Sequence, residues 1–266
     1  MSTASAISAK GLAVKAGRNV LIQPMNLNFA VGEFVGVLGP SGCGKSTLLR
    51  CLAGLQTPSL GEVFLGDRPL AQLAAEERRQ IGFVPQDDVV HGSLKVERAL
   101  TYTARLMGLS GDQLTARVDQ VIELLELQER RKVRTDRLSG GQRKRVSIAM
   151  ELLGEPHVLF LDEPTAGLDP ALEDSFMASC QKLCRGGRTL LMSTHVMQSL
   201  DCLDLVLVLL KGYLIFLGPP QQGLSYFQVP SLTMIYKQLS QQDPLQAQQR
   251  FAASPLYQTY VAGRAR

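Results

Sequence analysis

The chain has 266 residues, 45% of them hydrophobic and 20% charged, with a net charge of +4. That is enough for one large globular domain, or one domain with an inserted lobe. The small basic excess fits a solvated surface and does not by itself mark a polyphosphate ligand or an anionic membrane face. Five cysteines (Cys43, Cys51, Cys180, Cys184 and Cys202) form no metal or disulfide framework, so reduced, packed thiols and a cytosolic setting are expected.

In chain order, residues 1 to 10 are small and polar, without the charged start and apolar core of a secretory signal. Residues 20 to 38 alternate at Met25, Leu27, Phe29 and Val31 and then run apolar over Phe34–Leu38, predicting a half-buried strand and a fully buried one. Directly after comes Gly39-Pro40-Ser41-Gly42-Cys43-Gly44-Lys45-Ser46-Thr47, which fits G-x-x-x-x-G-K-[ST] between a strand and a helix. Its glycines let backbone N–H groups wind around phosphate oxygens, and the helix N-terminus adds partial positive charge. Lys45 is placed to reach the β- and γ-phosphates of a nucleotide, and Ser46 to offer its hydroxyl to Mg²⁺. The helix is predicted from Thr47, with Leu48, Leu49, Leu52 and Leu55 on one face and Gly54 near its end.

Residues 60 to 70 read as a hairpin and 80 to 85 as a strand. Helical periodicity then dominates at Ala99, Tyr102, Val118, Val121, Ile122 and Leu125, so residues 87 to about 137 read as an inserted helical lobe. Leu138-Ser139-Gly140-Gly141-Gln142 precedes Arg143-Lys144-Arg145 and a stripe of Val146, Ala149, Met150 and Leu153. A Ser-Gly-Gly turn at a helix start is either an anion site or a plain helix cap, and spacing alone does not choose. Apolar runs at 158–161 and 189–192, flanked by helical segments, predict a parallel sheet covered on both faces. The most apolar stretch, 203 to 217, is broken by Asp204, Lys211 and Gly212 and reads as a hairpin; a membrane helix needs roughly 20 apolar residues. After a unit spanning 1–230, residues 231–266 are expected to form a peripheral helix or a linker.

Ligands of open parallel sheets sit beyond the carboxyl ends of the strands. Three apolar runs end there in polar groups: Gln86, Asp162-Glu163 and His195. Mg²⁺ keeps waters and uses one or two carboxylates, so Asp162 is the metal residue, mostly through water. Glu163 is the candidate base for the water that attacks the γ-phosphate, a role worth ~10²–10⁴-fold in rate. His195 is placed to contact the γ-phosphate.

In this order the motifs resemble the ATP-binding cassette (ABC) family: phosphate loop 39–47, glutamine loop at Gln86, signature 138–142, acidic strand 158–163, Gly167-Leu168-Asp169 and a switch at His195. The likeness covers about residues 8 to 220. Residues 84–88, 139–149 and Gly218-Pro219-Pro220 with Tyr226-Phe227 resemble the White-type (G) subfamily and bacterial exporters of similar architecture.

The resemblance implies an α/β fold: a P-loop NTPase core with a parallel sheet, an N-terminal antiparallel β subdomain and an inserted helical subdomain. It implies ATP and Mg²⁺ as cofactors, with Lys45, Gln86, Glu163 and His195 catalytic and Gln86 joining Ser46 and Asp162 around the metal. It implies a head-to-tail pair in which Ser139, Gly140, Gly141, Gln142 and Asp169 of one copy complete the nucleotide site of the other. A transmembrane permease, in the same or another chain, would be driven from the cytoplasmic face through the groove near Gln86 and the helical lobe. Export is the implied direction, and nucleic acid is not an expected partner. The alternative is a soluble ABC ATPase acting on nucleic acid or the ribosome, whose members usually carry two cassettes in one chain or a long coiled-coil insertion.

One departure stands out. Many relatives place an aromatic residue in the first-strand loop to stack on adenine; counting back from Lys45, that place holds Ala16, with Val14, Lys15 and Arg18 nearby. Base–aromatic stacking is worth ~1–3 kcal/mol, so base selectivity should be loose. GTP is therefore expected to compete measurably with ATP in a binding competition, and a strong preference for ATP would contradict this.

Overall fold

The computed structural model describes residues 4–87, 90–166, 168, 170–194, 202–239 and 241–264. The long strands β1 (Ser5–Ala16) and β2 (Asn19–Ala30) pair antiparallel across a two-residue turn, and β2 buries Met25, Leu27 and Phe29 on one face. The alternation does not extend to Val31, which lies in the turn after β2 and is exposed. The wholly buried β3 (Phe34–Leu38) follows, and then α1 (Lys45–Leu52).

This helix begins at Lys45, ahead of the expected Thr47, because Gly44 O already accepts Leu48 N–H at 2.9 Å and the end of the loop is the first helical turn. It also stops before Leu55, which is exposed. Gly54 adopts φ 73°, so its N–H bonds Cys51 O and Leu55 N–H bonds Arg50 O, the paired bonds of a left-handed helix stop.

The next elements are β4 (Leu60–Leu65), β5 (Arg68–Pro69), α2 (Ala75–Arg78) and β6 (Ile81–Val84). A helical lobe then carries α3 (Val96–Leu106) and α4 (Gly111–Leu124), and α5 (Gly140–Leu152) follows. The chain continues through β7 (Val158–Asp162), α6 (Pro170–Arg185), β8 (Thr189–Ser193), β9 (Leu205–Leu210) and β10 (Tyr213–Gly218).

Two sheets result. One has four strands in the order β2-β1-β4-β5; the other has six in the order β10-β9-β3-β8-β7-β6, parallel except for the terminal β9–β10 hairpin. Helix α1 contacts β7 and β8 and also β1 and β2, so it joins the two sheets. Strands β3, β7, β8 and β9 are buried along their whole length, as a parallel sheet with helices packed on it requires. Four cysteines are buried and Cys202 is half-buried, and none of the five forms a disulfide. Burial pushes the Cys51 thiol up to about 11 and the Cys184 thiol up to about 12, so both are inert packing groups.

Beyond β10 come α7 (Pro220–Phe227), α8 (Leu232–Leu239), α9 (Pro244–Ala252) and α10 (Pro255–Tyr260). Proline opens α7, α9 and α10, where no backbone donor is needed, and Asp243 and Ser254 cap α9 and α10. Phe216 of β10 packs its ring against Tyr226, Phe227 and Phe251 at centroid distances of 5.5, 5.7 and 6.0 Å. Arg264 then donates to Glu33 Oε1 at 2.8 Å, tying the end of the described chain to the start of β3. Among the described residues no helix is long and apolar enough to cross a membrane.

Because Phe251 is 0% exposed between β10 and α10, its truncation tests whether the tail belongs to the same cooperative unit. Phe251→Ala is expected to cost about 3–5 kcal/mol in denaturant unfolding, and a loss below about 1 kcal/mol would contradict that placement.

Candidate functional site

The sheet order brings three strand ends to one level. Ser193, the last residue of β8, pairs in register with Val37 of β3 on one side and with Asp162 of β7 on the other. Its hydroxyl donates to Asp162 Oδ1 at 2.7 Å and accepts the Glu163 backbone N–H at 2.9 Å. Ser46, in the first turn of α1, donates to the same Oδ1 at 2.8 Å. Asp162 is 1% exposed, and a carboxylate is buried at tolerable cost only when so bonded. Glu163 adopts φ 47°, a left-handed conformation that a residue with a side chain holds at a strained, over-determined position.

The loop between β3 and α1 wraps tightly. Gly39 has φ 146°, and a Cβ there would lie 2.3 Å from Leu209 O and 2.6 Å from Cys43 Sγ, so only glycine fits. Lys45 is 5% exposed and folds back over its own loop, donating to Gly39 O at 2.9 Å and Pro40 O at 3.3 Å, with Glu163 Oε1 3.9 Å away. Gln86 follows β6 and donates through Nε2 to Glu163 Oε2 at 3.1 Å. Lys144 of α5 donates to Pro85 O at 3.1 Å and Gln86 O at 2.8 Å, which fixes the chain leaving β6 against that helix. Burial pushes the Cys43 thiol up, against the opposing pull of the Lys45 cation, so the loop gains no thiolate.

A cavity of about 440 Å³ opens at this point. Ser41, Gly42, Gly44–Thr47, Gln86 and Glu163 line it, together with Val20, Leu21 and Lys211. Backbone N–H groups, the Lys45 and Lys211 side chains and a helix start are the groups that a phosphate site uses. The Ser46 hydroxyl and the Asp162 carboxylate, 2.8 Å apart beside it, are the hard oxygen donors that Mg²⁺ accepts.

Lys45, Ser46, Gln86, Asp162 and Glu163 thus come together as the spacing predicts. The signature turn does not join them. Gly141 and Gln142 line a separate cavity with Glu126, Leu168, Leu172 and Phe176. Ser139 is the N-cap of α5: its Oγ accepts Gln142 N–H at 3.3 Å, while Gln142 Oε1 accepts Ser139 N–H at 3.2 Å. Both of the turn's alternatives survive, because a capping hydroxyl keeps its proton to donate. Asp169 and His195 lie outside the described residues.

Several site residues escaped the sequence. Ser193 is the polar end of an apolar run, the same signal that marked Gln86 and Asp162. Lys144 sits among basic residues and carries no distinguishing signal. Ala16 is exposed at the end of β1 and is not among the cavity-lining residues, whereas the aliphatic pair Val20 and Leu21 is.

The family model described as ABC transporter matches residues 22–166. Over 210 residues the chain is 45% identical to the "ABC transporter ATP-binding/permease protein Rv1747" of Mycobacterium tuberculosis, covering 77% of this chain and 24% of that protein, about a quarter of its length. It is 35% identical over 216 residues to the "Nod factor export ATP-binding protein I" of Bradyrhizobium diazoefficiens, covering 81% of this chain and 71% of that one. It is 37% identical over 212 residues to the "Maltose/maltodextrin import ATP-binding protein MalK" of Salmonella typhimurium, covering 79% and 57%. Among solved structures, a dimeric post-hydrolysis state of the ATP-binding cassette MJ0796 bound to ADP and Pi superposes with a TM-score of 0.70 at 27% identity, covering 80% of this chain and 98% of that one.

Ser193→Ala removes two buried bonds at once and leaves the Glu163 amide without that acceptor. The expected loss is about 1–3 kcal/mol in urea unfolding, and a variant as stable as the parent would contradict the role given to this hydroxyl.

Proposed function

The chain belongs to the ABC transporter family and is one of its ATP-binding, ATP-hydrolysing cassettes; from that premise we propose that it is the motor of a transporter, working as a head-to-tail pair on Mg-ATP. The observation that carries this reading is the convergence of Lys45, Ser46, Gln86, Asp162 and Glu163 at one cavity of about 440 Å³.

In the proposed reaction the loop amides of residues 39–47 hold the β-phosphate, and the Lys45 ammonium leaves the Gly39 and Pro40 carbonyls for the β- and γ-phosphates. Ser46 and Asp162 would hold Mg²⁺, with Gln86 beside them; when bound, the ion neutralises charge on the β- and γ-oxygens. Glu163 takes a proton from the attacking water as the water oxygen bonds the γ-phosphorus and the bond to the bridging β–γ oxygen breaks. Gln86 steadies the Glu163 carboxylate through its amide, and His195 is assigned to the γ-phosphate.

The second copy enters through charge and geometry. The Ser139 hydroxyl, Gly141 and the N-terminus of α5 form a donor-rich end that lines no part of this chain's own nucleotide cavity. Presented to a partner's γ-phosphate, together with Gln142 and Asp169, they complete its site. The dimeric ADP-and-Pi state of the similar cassette supports that arrangement. Closure would pass to a permease on the membrane through the groove near Gln86 and the helical lobe, with the cassette on the cytoplasmic face. The naming of the mycobacterial relative for both an ATP-binding and a permease part supports that partner. Export follows the White-type likeness and the Nod factor relative, while the maltose relative carries the opposite direction in its name.

Glu163→Gln is expected to keep nucleotide binding and lower phosphate release by ~10²-fold or more, while an ATP-bound dimer accumulates in light scattering. Full turnover by this variant removes Glu163 as the base.

A further inference from the structure

Helix α8 comes from the tail, beyond the residues matched by the family model, yet one of its side chains reaches the phosphate site. Gly39 donates its backbone N–H to the Tyr236 hydroxyl at 3.3 Å, and that hydroxyl donates to the Thr194 carbonyl, also at 3.3 Å. Both partners are strategic. Gly39 opens the phosphate loop, and its own carbonyl holds the Lys45 ammonium. Thr194 directly follows Ser193, and its N–H bonds Val37 O at 3.3 Å, so it lies where β8 leaves β3. One hydroxyl, used once as acceptor and once as donor, therefore stitches together the exits of two neighbouring parallel strands.

We propose that Tyr236 is a positioning residue for ATP hydrolysis: its hydroxyl sets the phosphate loop, through Gly39, in register with the segment that follows β8, through Thr194. This rests on the proposed ATPase reading and deepens it. Both of these hydrogen-bond partners are backbone groups, so the link does not depend on the Thr194 side chain and acts on where the strand ends sit. The chain beyond Thr194 leads to position 195, which the proposed mechanism assigns to the γ-phosphate, and Gly39 leads to the loop that holds the rest of the nucleotide. A shift of Gly39 relative to Thr194 moves the lysine-bearing loop against the end of β8, where Ser193 holds Asp162 and the Glu163 amide. The tail thereby gains a direct hold on turnover. Burial raises the phenol's pKa, so the hydroxyl keeps its proton and both bonds at neutral pH.

Tyr236→Phe in the full chain deletes the hydroxyl and keeps the ring. Without nucleotide, hydrogen exchange at the Gly39 amide should rise roughly 5- to 10-fold in the variant, with β7 unchanged. With Mg-ATP, kcat should fall roughly 3- to 10-fold while KM stays within about 2-fold, because the hydroxyl lies behind the loop rather than on the nucleotide. Tyr236→Ala, which also empties the ring's place, should lower kcat at least as far. Gly39 exchange equal to that of the parent overturns the proposal, as does unaltered kcat in the Phe variant or loss confined to the Ala variant, which would make Tyr236 packing alone. A parent chain that neither binds nor hydrolyses ATP would instead sink the ATPase reading, whatever the exchange result.

Discussion

The Asp162 carboxylate is the knot of this molecule. A single oxygen, Oδ1, receives the hydroxyl of Ser46 from the start of α1 and the hydroxyl of Ser193 from the end of β8. An acceptor with several lone-pair sites can take both at once, and an ion taken out of water needs such partners to offset a penalty of several kcal/mol. The result locks the phosphate helix, β7 and β8 at one height. Glu163 inherits the constraint: its N–H is held by Ser193, and its left-handed backbone turns the chain sharply out of β7. Its carboxylate then meets both Lys45 and Gln86.

A second set of contacts braces the loop through the β9–β10 hairpin and links it to β2 of the other sheet. The tip of the β9–β10 hairpin is wedged between β2 and the loop: Gly212 donates to Cys43 O at 2.9 Å and accepts Gln23 N–H at 3.0 Å. Val20 and Leu21 at the start of β2 and Lys211 at the hairpin tip thus become cavity wall. An aliphatic wall can cover a nucleobase by dispersion and burial but lacks the π-face that makes aromatic stacking strong. The loose base selectivity expected from the missing aromatic residue therefore keeps its physical basis, although the wall is built by residues 20 and 21 and not by Ala16.

These contacts also mark what could be read from the chain alone. The phosphate loop was legible because its chemistry is local: nine consecutive residues, a strand before and a helix after. The ends of β6 and β7 were legible because polarity changes abruptly at Gln86 and Asp162. Ser193 ends an apolar run in the same way, but its bonds to Asp162 and Glu163 depend on the order in which strands sit in the sheet. Lys144 is set apart from its basic neighbours only by the packing of α5 on the chain leaving β6. Strand β3 lies between β8 and β9, more than 150 residues away in sequence, and no periodicity encodes that neighbour. The tail was harder still. Its glutamines hide a short apolar pattern, and only the ring cluster around Phe216 shows that it docks on β10 and so brings α8 near the site.

The contacts of Lys45 and the position of the Ser139 turn bear on the proposed pairing. Its ammonium donates to two loop carbonyls and stands near the Glu163 carboxylate. A triphosphate must displace those carbonyls, and it brings enough negative charge to do so. This chain's other donor-rich end, the Ser139-capped start of α5, lines a different cavity. In the proposed head-to-tail pair, that end would reach the γ-phosphate held by the other copy. Each copy would then supply donors to an anion that it does not itself hold, and breaking the β–γ bond would split that shared anion and loosen the pair.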